Sequence, residues 1–156
     1  MRNVLLALLT GVLTACTTTG AVSRAAVAQQ NTAVVLAYLD TVFNKHEVEQ
    51  AFRLYVAPQY QQHNPAVADG NEAAMQALTH YTHELYPELR QEVMRTVAQG
   101  DLVAVHSRYL KHAADRSSGK GQEAVDIFRL EHGRIAEHWD VVQDVQSRPV
   151  NANSIF

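Results

Sequence analysis

Asp126 is the residue of this chain best placed, by type and by spacing, to move a proton. It stands in the run EAVDIFRLEHGRIAEHWDVVQD, residues 123–144, which reads as two adjacent strands around a short polar turn. Side chains alternate with a period of two along a strand, so Asp126 shares a face with Ala124, Phe128 and Leu130. Burial without a partner disfavours the charged form of a carboxylate, and this is how a general acid or base is tuned toward neutral pH. The competing reading is a carboxylate salt-bridged to Arg108 or Arg129 at the sheet surface.

The histidines supply further candidates. His106 shares a face with Leu102, Ala104 and Leu110, which suits either a satisfied core histidine or a catalytic one. Along 134–144, Ile135, Glu137, Trp139 and Val141 lie on one side and Ala136, His138, Asp140 and Val142 on the other. Both sets cannot face one pocket without a bulge. The second set carries an imidazole and a carboxylate two residues apart, a spacing that lets the carboxylate orient the ring. Trp139 would instead offer an aromatic wall, and the expectation leans to His138 and Asp140 inside. His63 lies in YQQHNP with Tyr60 and Asn64, just ahead of a turn-forming Asn-Pro. It either meets a ligand or holds its own loop through a backbone carbonyl.

Other chemistries find less support. His80 and His83 are three apart on a helix and could reach one ion, yet they lie off its inner stripe and no third ligand follows at a recognisable spacing. A solvated helix face accounts for them, and neither metal nor cofactor is expected. No glycine-rich phosphate loop follows a strand, and no G-x-S-x-G elbow occurs. No basic run or basic-aromatic face is present, which argues against nucleic acid as a partner.

The elements that must position these residues follow from periodicity. Val35, Tyr38, Leu39 and Val42 form one stripe of a helix over 32–44, with Asn31 or Thr32 as its cap. Val48, Ala51, Phe52 and Tyr55 mark a second over 47–56, ended by Pro58. Residues 60–65 are short and extended or looped. Asp69 and Glu72 have the spacing of a capping box for a third helix, with Met75, Leu78, Thr82 and Leu85 inward and Pro87 at its close. Everything after Pro87 is strand-like: 91–98, a Gly100-Asp101 turn, 102–112, a loop over 117–121, and the two strands joined by His132-Gly133. Helices first and strands last predict an α+β fold, with helices on one face of an antiparallel-rich sheet.

The N-terminus reads as an address. Val4 to Leu13 are apolar but too few to span a bilayer as a mature helix. They run into Leu13-Thr14-Ala15-Cys16, which resembles the lipobox of bacterial lipoproteins; a simple cleaved signal peptide or an uncleaved anchor are the alternatives. Cys16 is the only cysteine, so no intrachain disulfide is possible, and acylation would account for a lone thiol in an exported chain. The expected division is a signal peptide over 1–15, a lipidated Cys16 with a small, polar, flexible tether over 16–31, and one domain over 32–156. Thr17, not Asp, follows the cysteine, which resembles lipoproteins sorted to the outer membrane, facing the periplasm. Removing 1–15 removes Arg2 and no acid, so 13 basic residues become 12 against 16 acidic ones, a formal charge of −4.

Two helices, a short strand carrying YQQHNP, a third helix, and four long strands ending in DIFRLEHGRIAEHWDVVQ together resemble the SnoaL-like polyketide cyclases of the NTF2-like superfamily. The resemblance covers most of 32–146. It implies a cone in which a curved antiparallel-rich sheet wraps round a hydrophobic pocket closed by about three helices. It also implies that Asp126 acts as acid and base in a cofactor-free, aldol-type reaction. His63 would lie near the opening, within reach of a substrate carbonyl or of Asp126, and His106 would face the pocket. Tyr60, Asn64, His138, Trp139 and Asp140 would line the pocket or its entrance. A small, apolar, carbonyl-bearing ligand and a homodimer with sheets packed back to back are the implied partners. Export sets the chain apart from cyclases that meet their substrates in the cytoplasm, so isomerase- or hydrolase-type chemistry stands beside cyclisation. A non-catalytic ligand-binding or assembly module of the cell envelope is the alternative.

Overall fold

The first helix begins well before the expected cap. A computed structural model describes residues 19–146 and 149–156, so Cys16 and the signal segment lie outside the described residues. Helix α1 runs Thr19–Phe43, and the tether expected over 16–31 is therefore helical from Thr19. Ala21, Ala25, Ala26 and Ala28 explain the extension, since alanine has the highest helix propensity. Asn31 is not a cap: its side chain is buried and donates to the Gly100 carbonyl at 3.1 Å, tying α1 to the turn between two strands. No described helix is long and apolar enough to cross a membrane.

Periodicity places the remaining elements closely. Helix α2 covers Val48–Tyr55 and passes directly into strand β1, Val56–Gln62. Helix α3, Asn71–Thr79, continues as a π-helical segment, His80–Leu85. The expected capping box does not form. Asp69 instead accepts the backbone N–H groups of Gln62 and Gly70, both at 2.8 Å. The π-helical segment adds residues per turn and rotates the stripe, so Thr82 is fully buried while Leu85 turns out to solvent. Strands β2 (Arg90–Gln99), β3 (Leu102–Leu110), β4 (Gln122–Glu131) and β5 (Arg134–Asp144) follow, with a single-turn helix α4, Asp115–Ser118, between β3 and β4.

The strands form one five-stranded sheet in the order β1-β5-β4-β3-β2. Every pairing is antiparallel except β1 with β5. Helix α1 packs on β2 and β3, and α2 and α3 close over β1. This is the expected α+β cone, a curved open sheet with helices on its inner face. The alternation of β3 and β4 is as expected: Val103, Val105, Ser107 and Tyr109 face inward, as do Ala124, Asp126, Phe128 and Leu130, all buried. The α1 stripe of Val35, Tyr38, Leu39 and Val42 meets them.

A register shift between β4 and β5 decides what the last strand presents. Leu130 pairs with Ile135 but Arg129 pairs with Glu137, leaving Ala136 as an extra residue. Ile135 and Ala136 are consequently both buried, and the strand continues with His138 and Asp140 inward. The bulge reconciles the two face assignments: Ile135 from one set and His138 with Asp140 from the other share the inner face.

Gly121 precedes β4 at φ +115°, and a Cβ there would sit 2.4 Å from the Tyr109 carbonyl oxygen. Strained backbone and overpacking add, so Gly121→Ala is expected to lower stability by about 2–4 kcal/mol. Urea unfolding measures this, and an unchanged midpoint would contradict the close approach.

Candidate functional site

Two adjacent strands bring the site together from inside the cone. Pairing of β4 with β5 sets Asp126 opposite Asp140 and Phe128 opposite His138. Asp126 is 4% exposed, and its Oδ1 lies 3.1 Å from His138 Nε2. Its other oxygen accepts a long hydrogen bond, 3.4 Å, from the Tyr109 hydroxyl, to which Gln91 Nε2 donates at 2.9 Å. Neither arginine of the alternative reading reaches it. Arg129 pairs with Glu137 at 2.7 Å, and Arg108 donates to the carbonyls of Asp115 and Lys120.

Strand β1 adds further partners from the other side of β5. Its parallel pairing aligns Gln62 with His138, and Gln62 Oε1 lies 3.1 Å from His138 Nδ1. Gln62 Nε2 donates to the Tyr60 hydroxyl at 2.9 Å. Asn64 Nδ2 donates to Asp140 Oδ2 at 2.8 Å. Phe128 stacks on the His138 ring, with centroids 4.8 Å apart, and Tyr38 meets Phe128 edge-on at 6.0 Å. Of the expected residues, Asp126, His138, Asp140, Tyr60 and Asn64 thus converge.

His63, His106 and Trp139 do not, and strand alternation is the reason in each case. His106 neighbours Val105 and Ser107 on β3, which point inward, so its own ring points outward. There its Nε2 meets Glu123 at 2.7 Å, and the Phe156 ring stacks 6.1 Å away. Trp139 pairs across the sheet with the half-exposed Ile127, opposite in sense to Asp126. His63 follows Gln62 and lies on the Trp139 side, its ring stacked at 4.6 Å and nearly parallel to the indole. His63 and His106 are therefore not partners of Asp126, and Trp139 forms no wall for it. His80 is paired with Glu84, and His83 Nε2 lies 2.7 Å from the His46 carbonyl, so they do not form a joint site.

Electrostatics sets the roles of the neighbours. Burial pushes the hydroxyls of Tyr38, Tyr60 and Tyr109 well above the ordinary phenol range, and the nearby negative side chains push the same way. These three remain neutral hydroxyl groups at working pH. On the outer face, the Arg129 guanidinium holds the Glu137 carboxyl below the ordinary carboxylate range. That stability is present above the usual glutamate titration and is lost as pH falls through the folded value. The donor atoms of Asp126, His138 and Asp140 lie within 4.8 Å of one another, close enough for one divalent ion. Two of them are already joined by a hydrogen bond, so the arrangement suits the sharing of a proton.

Gln62 had no place among the expected site residues. Its only signal was alternation with Tyr60 two positions earlier, which puts both on one strand face. A groove of about 930 Å³ lies between α2, β1 and α3 and is lined by Phe52, Val56, Pro58 and Met75 with Arg53 and Arg134. It does not include Asp126 or His138. Phe52 links the two regions, meeting Tyr38 at 5.9 Å and Tyr60 at 6.2 Å.

Comparison with known proteins agrees with this fold. Residues 35–138 match the family model of the SnoaL-like domain. No curated protein is significantly similar in sequence. Among solved structures, a candidate ketosteroid isomerase from Kribbella flavida is 19% identical with a TM-score of 0.62, over 80% of this chain and 85% of that one. A candidate SnoaL-like polyketide cyclase from Jannaschia sp. CCS1 is 19% identical, with a TM-score of 0.59 over 74% and 87%. An NTF2-like protein of unknown function from Mesorhizobium loti is 22% identical, with a TM-score of 0.58 over 74% and 93%. Each shares the fold.

Proposed function

The chain belongs to the SnoaL-like domain family, and from that premise we propose that it binds a small, largely apolar, carbonyl-bearing molecule and performs cofactor-free acid/base chemistry with Asp126 and His138. The observation that carries the reading is a carboxylate 4% exposed, hydrogen-bonded at 3.1 Å to an imidazole on the next strand. The pair takes a proton from the carbon beside the carbonyl, and the electron pair of that bond passes into the carbonyl as an enolate. The same proton then returns, either to the alkoxide left when the enolate carbon adds to a second carbonyl of the substrate and opens its π bond, or to a different carbon. The first outcome is cyclisation and the second isomerisation. Folds related to this one include structures described as candidates for each, which supports the reaction class and not a particular substrate.

The His138 side chain, 13% exposed, is more open than that of Asp126 at 6%. Half-buried Asp140 and Asn64 border it. A ligand therefore meets the pair on the side of His138 and Asp140. The test is exchange of carbon-bound protons beside the carbonyl into D₂O, followed by NMR over a panel of ketones and β-keto esters. Acceleration over buffer is the expected result. No acceleration for any member, together with a ligand retained through purification and released unchanged, would favour a binding module using the groove beside Phe52.

The address and assembly belong to the same proposal. Leu13-Thr14-Ala15-Cys16 supports a lipid-anchored protein of the bacterial envelope, on the periplasmic side of the outer membrane. Cys16→Ala is expected to abolish metabolic labelling with a fatty acid, and retained labelling would refute acylation there. Exposed Val125, Ile127 and Val141 on the outer sheet face support a homodimer packed through that face.

A further inference from the structure

We propose that Gln62 is a positioning residue: it fixes the proton on Nδ1 of His138, so that Asp126 and His138 form a pair holding one transferable proton between Oδ1 and Nε2. This deepens the acid/base reading of that pair and rests on it for its consequence, although the tautomer itself is independent of any substrate.

Each step follows from what a group can donate. The backbone N–H of Asn64 lies 2.9 Å from one terminal atom of the Gln62 amide. A backbone N–H only donates, so that atom is the oxygen, and the amide orientation is settled. The amide nitrogen then faces the Tyr60 hydroxyl at 2.9 Å. The same oxygen is 3.1 Å from His138 Nδ1. An amide oxygen only accepts, so Nδ1 carries a hydrogen. Across the ring, Nε2 lies 3.1 Å from Asp126 Oδ1. Two lone pairs do not face one another at that distance, so one proton lies between them. It sits on Nε2 beside a carboxylate or on Oδ1 beside a neutral ring. In either state the pair is one proton short of imidazolium beside carboxylic acid, so it can take one proton and give it back, and all traffic passes between Nε2 and Asp126.

The surroundings hold Gln62 to this task. Asp69 accepts its backbone N–H at 2.8 Å. The backbone N–H of His63 donates to the His138 carbonyl at 3.0 Å, which pins the end of β1 to β5. Phe128 stacks on the imidazole with its ring tilted 28°, centroids 4.8 Å apart, and opposes a ring flip. Asn64 takes part twice, through its backbone to Gln62 and through its side chain to Asp140. Gln62 does not touch the reacting atoms; it acts through His138, as a group that orients an imidazole does in a catalytic triad.

The test is ¹⁵N long-range NMR of the histidine rings in the full chain, with His138 assigned by its absence in His138→Gln. The expected wild-type spectrum has Nδ1 protonated, and a neutral ring protonated on Nε2 alone overturns the proposal. Gln62→Leu is expected to give a mixture of tautomers and to slow exchange of carbonyl-adjacent protons by about tenfold or more, in kcat and not in KM. Gln62→Glu keeps an acceptor oxygen at Nδ1 and is expected to restore the Nδ1–H signature. A folded Gln62→Leu protein with an unchanged His138 spectrum refutes the positioning role. If Gln62→Leu fails to fold, the wild-type spectrum and Gln62→Glu still decide. Nδ1 protonated in a wild-type protein without exchange activity upholds the tautomer and rejects the acid/base reading, so the two failures are distinguishable.

Discussion

Asp126→Asn is expected to slow exchange of carbonyl-adjacent protons by about 10²–10⁴-fold, the range that a positioned general base contributes. The substitution keeps the shape of the side chain and removes its capacity to hold a proton. Asn at this position can still bond Tyr109 and His138, so the cluster stays packed and the loss is one of chemistry. Urea midpoints within about 1 kcal/mol of wild type would establish that the fold is intact. The same rates in both proteins would remove Asp126 from the reaction, since no other described carboxylate is bonded to His138. Glu123→Gln provides the contrast. That carboxylate bonds His106 on the outer face, and its loss is expected to leave exchange unchanged. A parallel loss in both variants would place the chemistry on the wrong side of the sheet.

Phe128→Ala is expected to cost about 3–5 kcal/mol of stability, as for other fully buried aromatic side chains. Phe128 is 2% exposed, and its ring touches both the helix layer at Tyr38 and the site at His138. Truncation leaves a cavity beneath the imidazole. Ile127→Ala is the control on the same strand. Ile127 is 38% exposed on the opposite face, and a change under about 1 kcal/mol is expected. Urea unfolding of both variants measures the difference. Equal losses would contradict the assignment of faces along β4, and with it the inward placement of Asp126. Because Phe128 also packs the ring that Gln62 orients, its truncation should broaden the His138 ring signals even where the protein remains folded.

Much of the scaffold was legible in the residues. The α1 stripe, the α2 stripe and strands β3 and β4 are visible as periods of 3.6 and 2, because burial of one face imposes those periods on the sequence. Asp126 was legible for the same reason, as a carboxylate interrupting an apolar face. The π-helical segment was not, and Leu85 shows why. One added residue per turn rotates a stripe without changing any residue type. The candidate cap at Asn31 failed because an alanine-rich stretch carries no stop signal, and its amide serves a carbonyl far away in sequence.

The candidate histidines mark the limit most clearly. His63, His106 and His138 are alike as residue types, and the resemblance set His63 and His106 beside Asp126 with His138 only lining the pocket, an order that local pattern could not correct. Two structural facts did. The bulge at Ile135–Ala136 shifts the phase of β5, so His138 and Asp140 point inward where an unbroken strand carrying Ile135 inward would have presented Trp139. The parallel pairing of β1 with β5 then brings Gln62 to His138 across 76 positions of sequence. A bulge is one unpaired residue, and strand pairing is a contact between distant segments, so neither leaves a local trace in composition or period. The sequence by itself determined most of the element order and nominated one acid for burial, because burial of a face is written in local periods, and its motifs carried the resemblance to the family. Which imidazole meets that acid, and through which nitrogen, was decided only when the strands took their register.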